Sequence, residues 1–234
     1  MLLDKRSFAV VHAASKDVTR AVLNGVLIEP DGKTVATDGH ILAEISPCTE
    51  FEEADFPVRE GAAPAWAPEG EGVVVPAEVC KKAAKLPSSK RHHLLILNAI
   101  QLCKNGSGPE FMATDLDTES RAAFRPLDGP FPNYRQVIPK TESAKFRIGF
   151  SVAVLEKAVK IAKEFSEARP ENTTMEFYLF DPQKAAVCKV RTGYASRGLQ
   201  FVIDPDVEPE GGAVQGDRTC DIVTMPMRLP EEAK

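Results

Sequence analysis

The feature that most constrains this chain is an internal repeat: a hairpin pattern ending in Ala-Thr-Asp occurs twice, each time after a helical segment. In the first copy, Leu23–Ile45 reads as strand, turn, strand, with the turn at Pro30-Asp-Gly-Lys33 and the second strand at Thr34-Val-Ala-Thr-Asp38. Asp-Gly is a strong hairpin signal, because the turn needs positive φ and glycine adopts it without a Cβ clash. In the second copy Leu94–Cys103 leads into the turn Asn105-Gly-Ser-Gly108 and then Phe111-Met-Ala-Thr-Asp115. A weaker third copy is Thr174–Phe180, the turn Asp181-Pro-Gln-Lys184, then Ala185–Val190. Such repetition restricts the chain to folds assembled from like supersecondary units.

Three helical segments precede the three hairpins. Ser151–Glu167 is the clearest, with Val154, Leu155, Ala158, Ile161, Ala162 and Phe165 on one stripe at helical spacing. Pro76–Leu86 is shorter, with Val79, Ala83 and Leu86 inward and Pro76 suited to a first turn. Asp4–Ser15 spaces Phe8, Val11 and Ala14 loosely along one face. The pattern predicts an α+β fold of helix-then-hairpin units, with Glu52–Glu71 as a loop and residues 139–147 as a polar interdomain linker. Asp204–Arg218 reads as irregular and precedes a final strand.

Several classes are excluded. No run of about 18 apolar residues exists, so nothing reads as a membrane span. The charged start Met1–Arg6 stands where a signal peptide needs its apolar stretch, which points to a cytoplasmic protein. Cys48, Cys80, Cys103, Cys188 and Cys220 form no C-x-x-C, and His12, His40, His92 and His93 do not fall at zinc-ligand spacing beside them. Reduced thiols and no metal or cofactor are the expectation. Asp38-Gly39-His40 could be read as a catalytic acid and histidine. No nucleophile elbow, metal pair or phosphate loop accompanies it, so the sequence reads as a non-enzyme and Asp38-Gly39 as a turn.

The net charge of −5 argues against a chain that is basic all over, yet lysines concentrate on the helices. Lys157, Lys160 and Lys163 lie away from the apolar stripe, and Lys81, Lys82, Lys85, Lys90 and Arg91 fall in a stretch from Cys80 to His93 without an acid. Two readings stand: a solvated helix face, which is the usual meaning of a charge run, or a sequence-independent contact to phosphates.

Three stretches, taken in order, carry a resemblance. They are Leu23–Glu29 with Val35–Ala43, then Phe131-Pro-Asn-Tyr-Arg-Gln-Val-Ile-Pro-Lys140, then Asp221-Ile-Val-Thr-Met-Pro-Met-Arg-Leu-Pro230. Together they resemble the second and third domains of the bacterial replicative sliding clamp, the beta subunit of DNA polymerase III. The resemblance implies a DNA clamp-like fold with a full domain at 1–140, like the family's middle domain, and a reduced domain at 141–234, like its C-terminal one. It implies a non-catalytic processivity or tethering factor of DNA replication or repair. Partners would be DNA polymerase or repair proteins docking short Leu/Phe-containing motifs in an interdomain groove.

Carried over by position, that groove is Leu23, Thr37, Gly39, His40, Leu42, Pro132, Val137, Val223, Met225, Pro226, Met227 and Leu229. These mostly apolar side chains, with a soft methionine pair, suit the burial of apolar anchors from an extended peptide. The family's helices face the ring interior, which implies contact of Lys81, Lys82, Lys85, Lys157, Lys160 and Lys163 with double-stranded DNA. The chain departs from the family at Ile41, where an arginine is common, and in the acidic tail Pro230-Glu-Glu-Ala-Lys234. It lacks a counterpart of the first domain, Met1–Leu3 leave little room for a strand before the first helix, and one helix-hairpin unit follows Lys145. Two alternatives therefore stay open: a ring closed by several chains, or a monomeric adaptor or competitor that binds clamp-interacting peptides without encircling DNA.

Overall fold

The computed structural model describes residues 1–17, 19–47, 52–57, 62–86, 95–139, 149–165, 173–178, 186–192 and 219–224. The chain divides into two compact units, Met1–Ile138 and Pro139–Lys234.

In the first unit the repeat is complete down to its turns. The order is β1 (Leu2–Asp4), a 3-10 helix (Lys5–Ala13), a 3-10 turn (Ala21–Asn24), then β2 (Gly25–Ile28), β3 (Thr34–Thr37) and β4 (Leu42–Ile45). It recurs as β5 (Val73–Pro76), α1 (Ala77–Ala84), a 3-10 turn (Leu95–Asn98), then β6 (Ala99–Asn105), β7 (Gly108–Thr114) and β8 (Glu119–Ala123). Both sheets are antiparallel, in the orders β4-β3-β2-β5 and β1-β6-β7-β8. The strand that leads into each helix joins the sheet of the other copy. β1 pairs with β6 through Leu2↔Gln101, Leu3↔Ile100 and Asp4↔Ala99, and β5 pairs with β2 through Val26↔Val75 and Leu27↔Val74. The three residues of β1 suffice where the sequence left little room for a strand, helped by the Leu102 amide donating to the Met1 carbonyl at 2.9 Å.

Side-chain alternation along the strands assigns the two faces of each sheet. Val26, Ile28, Ala36 and Val75 of one sheet, with Ile100, Leu102, Phe111 and Ala113 of the other, meet Phe8, Val10, Ala77, Cys80 and Ala83 from the two helices in one core. Phe111 stands edge-on to Phe8 at 5.2 Å and stacks on Phe124 at 4.9 Å. The opposite faces carry smaller clusters. Leu27, Val35 and Val74 are covered by Leu127, Phe131 and Tyr134; Ala99, Cys103 and Met112 are covered by Phe56 and Ala63.

Three local expectations change. Part of the Glu52–Glu71 stretch is a cover strap rather than a plain loop: Phe56 is buried and the Trp66 amide donates to the Leu102 carbonyl at 2.8 Å. Pro76 is extended (φ −53°, ψ 133°) and closes β5, so the helix starts one residue later. The first helix is of 3-10 type, started by Asp4, whose carboxylate accepts from the Arg6 amide at 2.6 Å.

The second unit holds one copy among its described residues. α2 (Val152–Phe165) precedes β9 (Thr173–Tyr178), β10 (Ala186–Thr192) and β11 (Thr219–Thr224). The sheet order is β11-β10-β9, antiparallel throughout. β9 and β10 are the third hairpin of the sequence pattern, in the register Val190↔Met175 and Cys188↔Phe177. Ala158 and Ala162 are the buried residues of α2, whereas Ile161, placed on the stripe by its spacing, is 44% exposed on the shoulder of the helix.

Candidate functional site

The Ala-Thr-Asp repeat builds the same turn twice. After β3, the Thr37 hydroxyl donates to the Ile41 carbonyl at 2.7 Å and accepts from the Gly39 amide at 3.1 Å. Asp38 Oδ1 accepts from the amides of His40 at 2.8 Å and Ile41 at 2.9 Å. After β7, Thr114 donates to the Thr118 carbonyl at 3.0 Å and accepts from the Leu116 amide at 3.0 Å. Asp115 Oδ1 accepts from the amides of Asp117 at 3.1 Å and Thr118 at 2.6 Å. Gly39 has φ +93° and its counterpart Leu116 has φ +78°. Asp38 is thus a turn-forming residue, and the Ile41 amide above all holds its carboxyl below the usual range. Its twin Asp115 does the same work with no histidine in the turn, so His40 is not needed for the geometry.

The first unit brings two distant groove stretches onto one face of one sheet. Thr37 is buried at the end of β3, Leu42 opens β4 half-buried, and Gly39 and His40 are exposed between them. Leu23 is half-buried in the 3-10 turn before β2. Leu42 and Phe131 pack on the same cluster of Leu27, Val35, Val74 and Tyr134. Next to Phe131, Pro132 is exposed; further on, Val137 is 69% exposed and its amide donates to the Tyr134 carbonyl at 3.1 Å. Ile41, next to Leu42 in the turn and the departure from the family pattern, presents a 55% exposed apolar side chain. Val223 lies in β11, paired with Val187. Met225, Pro226, Met227 and Leu229 lie outside the described residues, as do Lys90 and Arg91.

The segment that carries Pro132 and Val137 is fastened by a buried carboxylate. Glu29, at the end of β2, accepts from the Tyr134 hydroxyl at 2.9 Å and from Arg135 Nη2 at 2.8 and 2.9 Å. Burial first, and the Glu29 carboxylate after it, push the Tyr134 phenol up. This link spans more than a hundred residues of sequence and could not be read from local spacing. Arg20 was also missed: its Nη1 lies 3.3 Å from where a Cβ on Gly39 would stand. With His12, Lys16, Asp17, Asp38 and His40 it lines a polar cleft of about 490 Å³.

The lysine faces are less cationic than the lysines alone suggest. On α1, Lys82 and Lys85 are exposed, but Lys81 pairs with Glu78 at 2.6 Å. On α2, Lys157, Lys160 and Lys163 are all exposed, and so are Glu156 and Glu164. Each of these glutamates stands four positions from Lys160, which puts it on the same helix face. Among the described residues no cluster of His, Cys, Asp or Glu could hold a metal ion, and no helix is long and apolar enough to cross a membrane. Cys80, Cys103 and Cys188 are buried free thiols.

No family model matches the chain. It is 29% identical over 138 residues to the beta sliding clamp of Synechocystis sp., an alignment that covers 56% of this chain and 31% of that protein. Its fold is similar to a crystal structure from Eubacterium rectale assigned to the DNA polymerase III beta subunits, with a TM-score of 0.51 and 13% identity. That match covers 95% of this chain and 50% of the other, so the chain corresponds to a part of each relative. At this identity the structural likeness speaks for the fold, which is DNA clamp-like: helices packed on repeated antiparallel sheets. The sequence similarity is thus to a beta sliding clamp, and the fold is similar to that of a clamp-like structure.

Proposed function

We propose that this chain is a non-catalytic, clamp-like tethering factor of DNA replication or repair, which holds polymerase or repair proteins by short Leu/Phe-containing motifs. The observation that carries the reading is the convergence of the Thr37–Leu42 turn and the Phe131–Ile138 segment on one sheet face, with Ile41 and Val137 left exposed. Large apolar side chains held in the open by hydrogen-bonded backbone suit the capture of an extended peptide. A few anchors at roughly 1.5–3 kcal/mol each, less the cost of ordering the peptide, correspond to about micromolar affinity. Met227 and Leu229 join the groove by the resemblance. Fluorescence anisotropy with a labelled Leu/Phe-containing clamp-motif peptide tests this: Leu23→Ala combined with Met227→Ala should abolish binding, and unchanged affinity sinks the assignment.

A second reading, the monomeric adaptor that does not encircle DNA, is favoured by the glutamates that interleave the lysine faces of α1 and α2. Light scattering separates the two. A closed ring requires a dimer or trimer, whereas the adaptor is a monomer at every salt concentration.

A further inference from the structure

The proposed docking wall is built on a segment with few attachments of its own. After Leu127, whose amide donates to the Val74 carbonyl at 2.9 Å, the chain to Ile138 buries only Tyr134 below a tenth of its surface. Phe131 is half-buried, and Pro132, Asn133, Arg135, Gln136, Val137 and Ile138 are exposed. Besides the packing of Phe131 and Tyr134 on the Leu27 cluster, the Glu29 carboxylate fastens the segment through the Tyr134 hydroxyl and Arg135. Glu29 is 6% exposed, and it is fixed in the β2–β3 hairpin by its own amide, which donates to the Lys33 carbonyl at 2.9 Å.

We infer that Glu29 is a positioning residue for partner docking: with Tyr134 and Arg135 it forms a latch that holds the 131–138 wall in its binding-ready shape. The inference rests on the groove reading above. Charge-assisted hydrogen bonds to a buried carboxylate are among the stronger local restraints a fold offers, and removing one partner leaves the other unsatisfied. Arg135 also lies over the Tyr134 ring at 5.7 Å, so the guanidinium braces the ring it shares the carboxylate with. Position then passes to the wall through the backbone, because the Val137 amide is bonded to the Tyr134 carbonyl. A wall that must be ordered when the peptide arrives binds less tightly than one already ordered. Neither Glu29 nor the Tyr134 hydroxyl needs to touch the peptide for this effect.

The test uses the full chain and four variants: Arg135→Gln, whose side chain is 68% exposed, Tyr134→Phe, which keeps the ring, Glu29→Gln, and Glu29→Gln combined with Arg135→Gln. Two quantities are read, the dissociation constant of the labelled clamp-motif peptide and the hydrogen-exchange rate of the Val137 amide. The latch predicts that Arg135→Gln and Tyr134→Phe each weaken the peptide about tenfold, mainly through faster dissociation, while the Val137 amide exchanges faster. It also predicts that Arg135→Gln adds nothing once Glu29→Gln is present, a coupling that general destabilisation does not produce. If the unchanged chain binds and the single variants bind as well as it does, the latch is overturned. If the unchanged chain does not bind, the groove reading fails, and the Val137 exchange rate decides the latch alone: unaltered exchange in Arg135→Gln overturns it.

Discussion

Gly39 offers a sharp check on the repeat, because the structure contains its own control. Gly39 and Leu116 occupy the same place in two turns with the same hydrogen bonds, at φ +93° and +78°. The left-handed region costs a residue with a Cβ about 1–2 kcal/mol. Gly39→Ala meets that cost, while the nearest atom to the new Cβ is the movable tip of Arg20 at 3.3 Å, a minor addition. After the gain of roughly 0.4–1 kcal/mol from a stiffer unfolded chain, the net loss is about 1 kcal/mol. Leu116→Gly reverses the signs: it relieves the strain, loosens the unfolded chain, and gives up the packing of a side chain already 40% exposed, so it should be close to neutral. Trp66 is the single tryptophan and is tied to Leu102 in the first unit. Urea unfolding followed by its fluorescence therefore reports the unit that carries both turns. In heating experiments the Gly39→Ala loss corresponds to about 2–4 °C. A neutral Gly39→Ala, or a Leu116→Gly as damaging as it, would refute the claim that backbone conformation fixes these positions.

If the helices contact DNA, the exposed carboxylates Glu78, Glu156 and Glu164 should halve the effective charge of the six lysines, giving a log–log salt slope of about −3 rather than about −5. Nitrocellulose filter binding across a salt series measures it, and Lys157→Glu with Lys160→Glu and Lys163→Glu should remove the affinity; a slope of −5 or steeper contradicts the screening. Burial pushes the thiols of Cys80 to about 12 and Cys103 to about 11, from 9.0. Above pH 9 the unfolded thiols ionise while the folded ones keep their protons, so stability should fall as pH rises from 9 towards 12. Mass-spectrometric mapping of alkylation at pH 8 should find both cysteines unmodified until urea is added; rapid labelling in the native chain would show that they are not enclosed.

The repeat was legible because its signals are local. Asp31-Gly32 and Gly106-Ser107 sit in turns between paired strands, and Ala-Thr-Asp recurs because a Thr hydroxyl and an Asp carboxylate cap the same backbone turn in each copy. The alternation of Val26 and Ile28 against Leu27 also reads directly onto two apolar clusters. What escaped was set by distant partners. Nothing beside Glu29 announces that its carboxylate meets Tyr134 and Arg135, and nothing in the Pro-rich Glu52–Glu71 stretch announces that Trp66 pairs with Leu102. β1 was overlooked because three residues show no periodicity; the edge of β6 makes them a strand. On α1 the acid-free stretch begins at Cys80, two residues after the Glu78 that pairs with Lys81, so the spacing of the lysines alone does not announce that pair.

The most direct test of peptide docking is location rather than affinity. The labelled clamp-motif peptide should be titrated into the isotopically labelled chain, and backbone amide shifts followed residue by residue. The account predicts saturable changes at Thr37, Gly39, His40, Leu42 and Val137, with the exposed face of α1 around Lys82 and Lys85 unaffected. Changes confined to that helix face, or none at any peptide concentration up to millimolar, would contradict it.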